Sequence, residues 1–384
     1  MSSDSPAGIT RGDASENSGG KNSNQKVLYL IDGSSYIYRA YHAIRNLSNS
    51  QGLPTNACFG FTRMIIKLLQ EKDPAYIAIV FDAKGPTFRH DIYPEYKANR
   101  PPMPQDLIQQ IPYIKKITAG FNITAIEKAG FEADDIMGTL SRQAESKGFS
   151  VVMVTGDKDF LQLVTQKVSL YDPMKEKSIT IETIQREFDL EPEQLTDVMG
   201  LSGDASDNIP GVAGIGPKTA RSLIRSYGSI NNLYDQMDNI KQSKQKQKLL
   251  QFKDQAFLSR RLVTIHVDVP VDFDPDLFRL KSPDESALSR LFKSLEFRQL
   301  QKAFRPSMNK AELDYSAVLN TMSLNKLVEK LKKSEIFAID TETTSTDPMK
   351  ADLVGLSVCL KEGEAFYIPL GHSYIGAPEQ LPQE

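Results

Sequence analysis

Three apolar, β-branched runs in this chain each end in an aspartate: VLYLID at 27–32, YIAIVFD at 76–82 and VVMVTGD at 151–157. Short runs of this kind with little polar alternation suit strands covered on both faces, and such strands belong to parallel sheets. In an open parallel sheet, ligands bind outside the carboxyl ends of the strands. Carboxylates closing three strands therefore converge on one crevice.

Nine acidic residues fall at strand ends or helix starts of this kind: Asp32, Asp82, Glu132, Asp134, Asp135, Asp157, Asp159, Asp204 and Asp207. So many like charges repel one another unless cations sit between them. Oxygen donors unsupported by His or Cys favour Mg²⁺ or Mn²⁺ over zinc. Two such ions suit phosphodiester hydrolysis. Each acidic group also has a plainer reading. FEADDIMGTL can be a helix start whose acids complement the dipole. One aspartate of TGDKDF can be an N-cap, and LSGDASDN can be a turn. Five groups, three of them at strand ends, are hard to explain as independent caps and turns.

The chain is long enough, at 384 residues, for two or three domains, and its net charge of −3 excludes no partner. Its two cysteines, Cys58 and Cys359, form no pattern, which fits a reducing compartment. No apolar run approaches membrane-spanning length, and the N-terminus lacks the apolar core of a signal peptide. A cytoplasmic monomer is expected.

Residues 1–25 are rich in Ser, Asn, Gly and Asp and read as a disordered tail. From 26 to 195, strands alternate with helices, which predicts a three-layer α/β domain with a mostly parallel sheet. Within it, 84–119 loosens: KGPTFRHDIYPEYKANRPPMPQDL carries five prolines and no continuous apolar face. Lys84, Arg89, Lys97 and Arg100 alternate there with Tyr93 and Tyr96, a mixture suited to unpaired bases and phosphates. A flexible surface loop is the plainer alternative. Residues 196–305 read as a helical subdomain, and 306–384 as a linker followed by an incomplete α/β piece.

PGVAGIGPKTA at 210–220 nearly matches a phosphate-binding loop, but Pro217 stands where that loop needs its lysine and no strand precedes it. A helix–hairpin–helix turn fits better. Gly214 and Gly216 let the backbone approach a phosphate, and Pro217 starts the next helix. The alternative is an ordinary glycine-rich connection. Residues 218–253 carry eight Lys or Arg against Asp235 and Asp238, a local +6 able to hold a DNA backbone. Farther on, Asp340 and Glu342 form a D-x-E pair at the end of strand EIFAID, weak by itself.

In sequence order, DGSSYIYRAYHA, IVFDAKG, YKANRPPMP, EADD, TGDKD and GDASDNIPGV followed by GIGPKTA resemble the flap endonuclease family, specifically the 5′ nuclease portion of the bacterial DNA polymerase I family, over about 26–300. The resemblance implies a PIN-like core and a metal-dependent 5′–3′ exonuclease and flap endonuclease. Its substrates would be DNA with a 5′ flap, nick or 5′ end, or an RNA primer on DNA. Its work would be primer removal and nick translation in replication and repair, at the nucleoid. Asp32, Asp82, Glu132, Asp134 and Asp135 would surround one metal, and Asp157, Asp159, Asp204 and Asp207 form the second group. Tyr96, Lys97 and Arg100 match a helical arch through which a single 5′ strand passes, and Arg39 matches a basic residue near the scissile phosphate. Gly211, Gly214, Gly216, Lys218 and Thr219 match the duplex-binding turn, which also holds a monovalent cation such as K⁺. From about 312 the chain resembles the opening of a 3′–5′ proofreading exonuclease domain, an RNase H-like fold, with Asp340 and Glu342 as its first carboxylates. Neither proofreading nor polymerase activity is expected, and the piece after 335 is expected to be marginally ordered and cut away by light proteolysis between about 300 and 335. Two rival readings are a non-catalytic duplex-binding module and a PIN-like RNase. The carboxylates at strand ends speak against the first, and the hairpin with its basic patch against the second.

Overall fold

The computed structural model describes residues 26–240, 242–305, 314–345, 347–374, 377 and 380–382. The expected tail at 1–25 and Lys241 of the basic patch lie outside them. The chain divides into two compact units, residues 1–305 and 306–384.

In the first unit the chain runs β1 (Val27–Asp32), α1 (Gly33–Ala43), α2 (Asn56–Lys72), β2 (Tyr76–Val80), α3 (Phe88–Ile92), α4 (Gln105–Ile108), α5 (Ile111–Gly120), β3 (Thr124–Ile126), α6 (Ala133–Ser146), β4 (Ser150–Val154), a 3₁₀ turn at Asp159–Leu163, β5 (Val168–Asp172) and β6 (Lys177–Ile179). The six strands lie in the order β3-β2-β1-β4-β5-β6, all neighbours parallel except β5 and β6. Strand order reverses between β1 and β4. That is the switch point where the connections leave a crevice at the strand ends.

The sheet is covered on both faces, as its unbroken apolar runs predict. Leu28, Leu30, Val151 and Met153 join the cluster around Ile136, Met137 and Leu140 of α6. Ile31, Ile77, Ile79 and Val154 join Tyr36, Phe61 and Ile65 of α1 and α2 on the other side. Strand parity alone divides them, because successive side chains leave opposite faces.

Helices follow: α7 (Ile181–Phe188), α8 (Gln194–Ser202), α9 (Pro217–Tyr227), α10 (Ile230–Asp235), α11 (Ser243–Gln251), α12 (Lys253–Val263), α13 (Pro275–Phe278), α14 (Glu285–Ser294) and α15 (Arg298–Ala303). Two features differ from the sequence reading. KQKQKLLQFKDQAFLSRRLVTI reads from its sequence as one helical stretch, but it is broken at Phe252, which ends α11 and precedes α12. Furthermore, α14 and α15 do not belong to a helical subdomain running to 305. Leu288, Phe292, Leu300 and Phe304 are buried with Ile114, Ile117 and Phe121 of the α/β core. Gly120 makes that approach close, since a Cβ there would meet Leu288 Cδ2 at 2.6 Å.

In the second unit β7 (Asp314–Ala317), α16 (Thr321–Lys332), β8 (Ala338–Thr343), β9 (Leu353–Lys361) and β10 (Glu364–Pro369) form a sheet of order β7-β10-β9-β8. Val318, Leu327, Val358, Ile368 and Leu381 make its small core. Every residue of β8 is exposed, Asp340 and Glu342 included. β7 was not foreseen: it supplies a parallel partner for β10.

Candidate active site

The site grows from the three strand ends. Asp32 closes β1 and caps α1, its Oδ1 accepting from Ser35 N at 2.8 Å while Oδ2 accepts from Thr155 Oγ1 at 2.9 Å. Capping and site-building are thus one role here, not rivals. Asp82 follows β2, donates its backbone N–H to Ser34 Oγ at 3.0 Å, and through Oδ1 accepts from Ala133 N at the start of α6. That places α6's first turn over the strand ends, with Asp134 half-buried among them. Asp157 and Asp159 leave β4, tied by Asp159 N donating to Asp157 Oδ1 at 3.0 Å.

Asp32, Asp82, Glu132, Asp134, Asp157, Asp159 and Asp207 line one cleft of about 230 Å³, together with Tyr38, Lys97 and Arg100. The crowding is visible in the acidities. Burial first, then the charges of Asp82 and Asp157, raise Asp32 to about 6. Burial and the neighbouring Asp157, Asp204 and Asp207 raise Asp159 to about 7. Asp134 is pushed well above the ordinary carboxylate value by burial and by Asp32, Asp157, Glu132 and Asp82. An all-oxygen cluster that resists its own ionisation fits a hard divalent cation, which would relieve the repulsion. Yet among the described residues no three acidic, His or Cys side chains stand at metal-holding geometry. Basic groups pair with two of the acids. Lys97 Nζ lies 2.7 Å from Glu132 Oε1 and 3.6 Å from Asp207 Oδ2, and Arg100 Nη2 pairs with Asp207 Oδ1. Burial opposes the Lys97 charge, but Glu132 and Asp207 hold its pKa above the ordinary value.

Several expectations need correction. Asp135 is not a cleft residue: it is fully buried, and both its oxygens are engaged. They accept Arg89 Nη1 at 2.7 Å and Nη2 at 2.8 Å, with His266 N at 2.8 Å and Glu132 N at 3.1 Å. Arg89 is accordingly a buried partner and not an exposed basic residue of a loose segment. Two consecutive residues on a helix point about 100° apart, so Asp134 and Asp135 cannot share one target. Asp204 lines the neighbouring cleft instead, its Oδ1 holding Ser206 N and Oγ. Arg39 also lies there, away from Lys97 and Arg100.

Tyr96 is no stacking platform, since it is 3 % exposed and its hydroxyl donates toward Glu132 Oε2 at 3.1 Å and Asp207 Oδ2 at 3.3 Å. Nor is the segment loose throughout. α5 belongs to the core, and residues 95–100 are tied to the 205–208 loop by Lys97 N to Asp207 O at 2.9 Å, Asn99 Nδ2 to Ala205 O at 2.7 Å and Asn208 Nδ2 to Glu95 O at 2.7 Å. Lys97 itself has φ 56°, a left-handed conformation uncommon for a side-chain-bearing residue and here fixed by that loop. The exposed aromatic beside the acids is Tyr38 of α1, which the sequence reading passed over. Its one signal was position: it follows Ser34 by one helical turn.

At the hairpin, Gly214 (φ 81°) and Gly216 are exposed ahead of α9, whose first residue is Pro217. Lys218 is exposed and Thr219 half-buried in the first turn. Gly211 serves differently from the expectation. It is buried with φ 59°, a Cβ on it would overlap the backbone of Gly203, and its N–H already donates to Ser259 Oγ at 3.0 Å. Of the basic patch, Lys246 pairs with Asp238 at 2.7 Å and Arg225 with Asp189.

Comparison with known proteins follows the same division of the chain. Residues 27–189 match the model described as 5′-3′ exonuclease, N-terminal resolvase-like domain, and 190–286 match 5′-3′ exonuclease, C-terminal SAM fold. A 5′-3′ exonuclease of Aquifex aeolicus is 38% identical over 277 residues, covering 72% of this chain and 94% of that protein. The chain belongs to the 5′–3′ exonuclease family. Residues 315–378 match a 3′-5′ exonuclease model. The DNA polymerase I of Pseudomonas aeruginosa is 40% identical over 380 residues, covering 94% of this chain and 42% of that protein. That of Bacillus caldotenax is 36% identical over 351 residues, covering 90% and 40%. The chain thus spans about two fifths of the length of these polymerase relatives. Among solved structures, T5 5′-exonuclease with bound divalent metal ions (zinc) aligns at TM-score 0.54 and 20% identity, covering 72% of this chain and 98% of that one. The catalytic core of Rad2 in complex with DNA substrate aligns at 0.52 and 21%, covering 73% and 92%. Both share the fold of this 5′–3′ exonuclease family member. Among the described residues no helix is long and apolar enough to cross a membrane.

Proposed function

We propose that the chain is a divalent-metal-dependent 5′–3′ exonuclease and structure-specific endonuclease on DNA carrying a 5′ flap, a nick or a 5′ end. In a longer, DNA polymerase I-like enzyme this would be the primer-removing, nick-translating part, acting as a monomer. The observation that carries the reading is the single cleft at the strand ends, lined by seven carboxylates and by the cationic side chains of Arg89, Lys97 and Arg100. Asp32, Asp82, Glu132 and Asp134 would hold one ion, and Asp157, Asp159 and Asp207 a second, with Asp204 beside them. Mg²⁺ or Mn²⁺ is the expected metal, and K⁺ the expected ion at the Gly214–Gly216 hairpin. When bound, the divalent ions supply an activated water and neutralise the leaving oxygen. Lys97 and Arg100 then leave Glu132 and Asp207 to meet the phosphate being cut, where their charge counts most as negative charge builds up. Tyr38 offers a face to the base beside that phosphate. The hairpin N–H groups hold the duplex backbone without reading sequence.

The test is cleavage of 5′-labelled flap, nicked duplex and RNA with Mg²⁺, with Mn²⁺ and with EDTA. Release of 5′ products from flap and nick only when metal is present supports the reading. Tight duplex binding with no cleavage under any metal would leave a binding module, and preference for RNA would leave an RNase.

A further inference from the structure

Glu132 and Asp207 reach the cleft from separate elements, the N-cap of α6 and the loop that follows α8. One phenol hydroxyl stands between them. Tyr96 Oη donates toward Glu132 Oε2 at 3.1 Å and toward Asp207 Oδ2 at 3.3 Å, so a single O–H serves two carboxylates that otherwise repel each other. The ring behind it is fixed: it is buried with Ile209, Leu262 and Val263 and meets the His90 ring edge-on at 5.5 Å. Lys97 contacts the same two acids from the next position in the chain. Consecutive side chains of an extended strand leave in opposite directions. Here the positive φ of Lys97, with its N–H donated to Asp207 O, turns the backbone so that both side chains reach one pair. The two donors differ in kind. Lys97, like Arg100 on Asp207 and Arg89 on Glu132, brings a positive charge, which competes with any cation for the carboxylate. Tyr96 is neutral and stays so, because burial and the charges of Glu132 and Asp207 push its phenol far above the ordinary value, against the opposing pull of Arg89. A neutral donor steadies both carboxylates and leaves their charge free to hold a cation.

We propose that Tyr96 is a positioning residue for the metal ligands: its hydroxyl bridges Glu132, assigned above to one ion, and Asp207, assigned to the other, and so sets the spacing of the two ligand groups. This rests on the metal-dependent reading and extends it. Tyr96 acts through the two carboxylates and does not itself touch the phosphate being cut. When Lys97 and Arg100 turn to that phosphate, the hydroxyl remains as the neutral link that keeps Glu132 and Asp207 in place. Hydrogen bonds behind metal ligands orient them and strengthen their hold on the ion.

The experiment uses the whole chain and Tyr96→Phe, which keeps the buried ring and removes only the hydroxyl. Mn²⁺ is titrated into each DNA-free protein, the unbound ion is counted by its electron paramagnetic resonance signal, and the melting temperature is followed at each concentration. Tyr96→Phe should bind Mn²⁺ roughly tenfold more weakly, the scale of losing a hydrogen bond behind a metal ligand. Its melting temperature should respond at correspondingly higher Mn²⁺. Cleavage of a 5′-flap duplex should recover toward the parent rate as Mg²⁺ is raised, because every ligand is still present. A hydroxyl that served folding alone would lower the melting temperature in EDTA and leave the Mn²⁺ midpoint where it was. Equal Mn²⁺ midpoints in the two proteins would therefore overturn the bridge, and a loss of flap affinity in EDTA at an unchanged midpoint would make the hydroxyl a substrate contact instead. A parent chain that binds no Mn²⁺ would overturn the metal reading, and the bridge with it.

Discussion

At the residue scale, the EADD motif separates two jobs that composition cannot. Asp134 faces the acids of the cleft, whereas Asp135 faces Arg89 with no exposed surface. Asp134→Ala should remove metal-dependent cleavage by orders of magnitude. It should also raise the melting temperature in EDTA, because a repelled charge is gone. Asp135→Ala should act through folding: it strands a buried guanidinium, a change that typically costs about 3–5 kcal/mol. Melting curves with and without metal check both, and an Asp135→Ala protein as stable as its parent would return that residue to the ligand set. The distinction was readable in part. Glu132 and Asp135 stand at capping-box spacing, and the structure has that box, with Asp135 accepting from Glu132 N. The partner was not readable, since Arg89 lies 46 residues away in a segment whose prolines argued for looseness.

At the element scale, the sheet was legible because its strands lack alternation and end in acids. β3 was not, being three residues with an exposed centre. Nor was the docking of α14 and α15 on α5, which depends on Gly120 meeting Leu288 across the fold. The hairpin shows how one residue type divides its work. Nothing lies within 4 Å of a Cβ placed on Gly216, and its φ is −84°, so Gly216→Ala should leave the melting temperature within about 1 °C. Its duplex affinity should nevertheless fall, because the methyl group projects where a phosphate would approach. Gly211→Ala should do the opposite, lowering stability through a positive φ and the Gly203 backbone. Duplex binding and melting measured on both variants decide the assignment. Unchanged affinity in Gly216→Ala would make the turn a mere connection.

At the scale of the whole molecule, each unit carries its own core, so a chain ending at Arg305 should melt cooperatively and keep all 5′ nuclease activity. Asp340→Ala should leave the 5′ nuclease activity unchanged, because β8 and its two carboxylates stand exposed at a sheet edge of the second unit. The acidic cluster makes a further demand on the entire fold. Asp32 and Asp159 are raised to about 6 and about 7, and Asp134 is raised as well. In the unfolded chain aspartate ionises near pH 4. Between these values the folded state binds protons that the unfolded state has lost, so folding takes up protons and is favoured by acid. That contribution is complete below about pH 4 and vanishes as pH rises through 6 to 7. In EDTA the melting temperature should therefore fall from pH 5 to pH 8, by roughly 2–4 °C for each kcal/mol involved. Asp159→Asn should flatten the fall, and Mg²⁺ at pH 8 should restore the lost stability by binding the ionised, folded form. A metal-free melting temperature that rises between pH 5 and pH 8 would mean that Lys97, Arg100 and Arg89 already balance the cluster. The carboxylates would then need no cation to coexist, and the strongest physical reason for placing metal in this cleft would be gone.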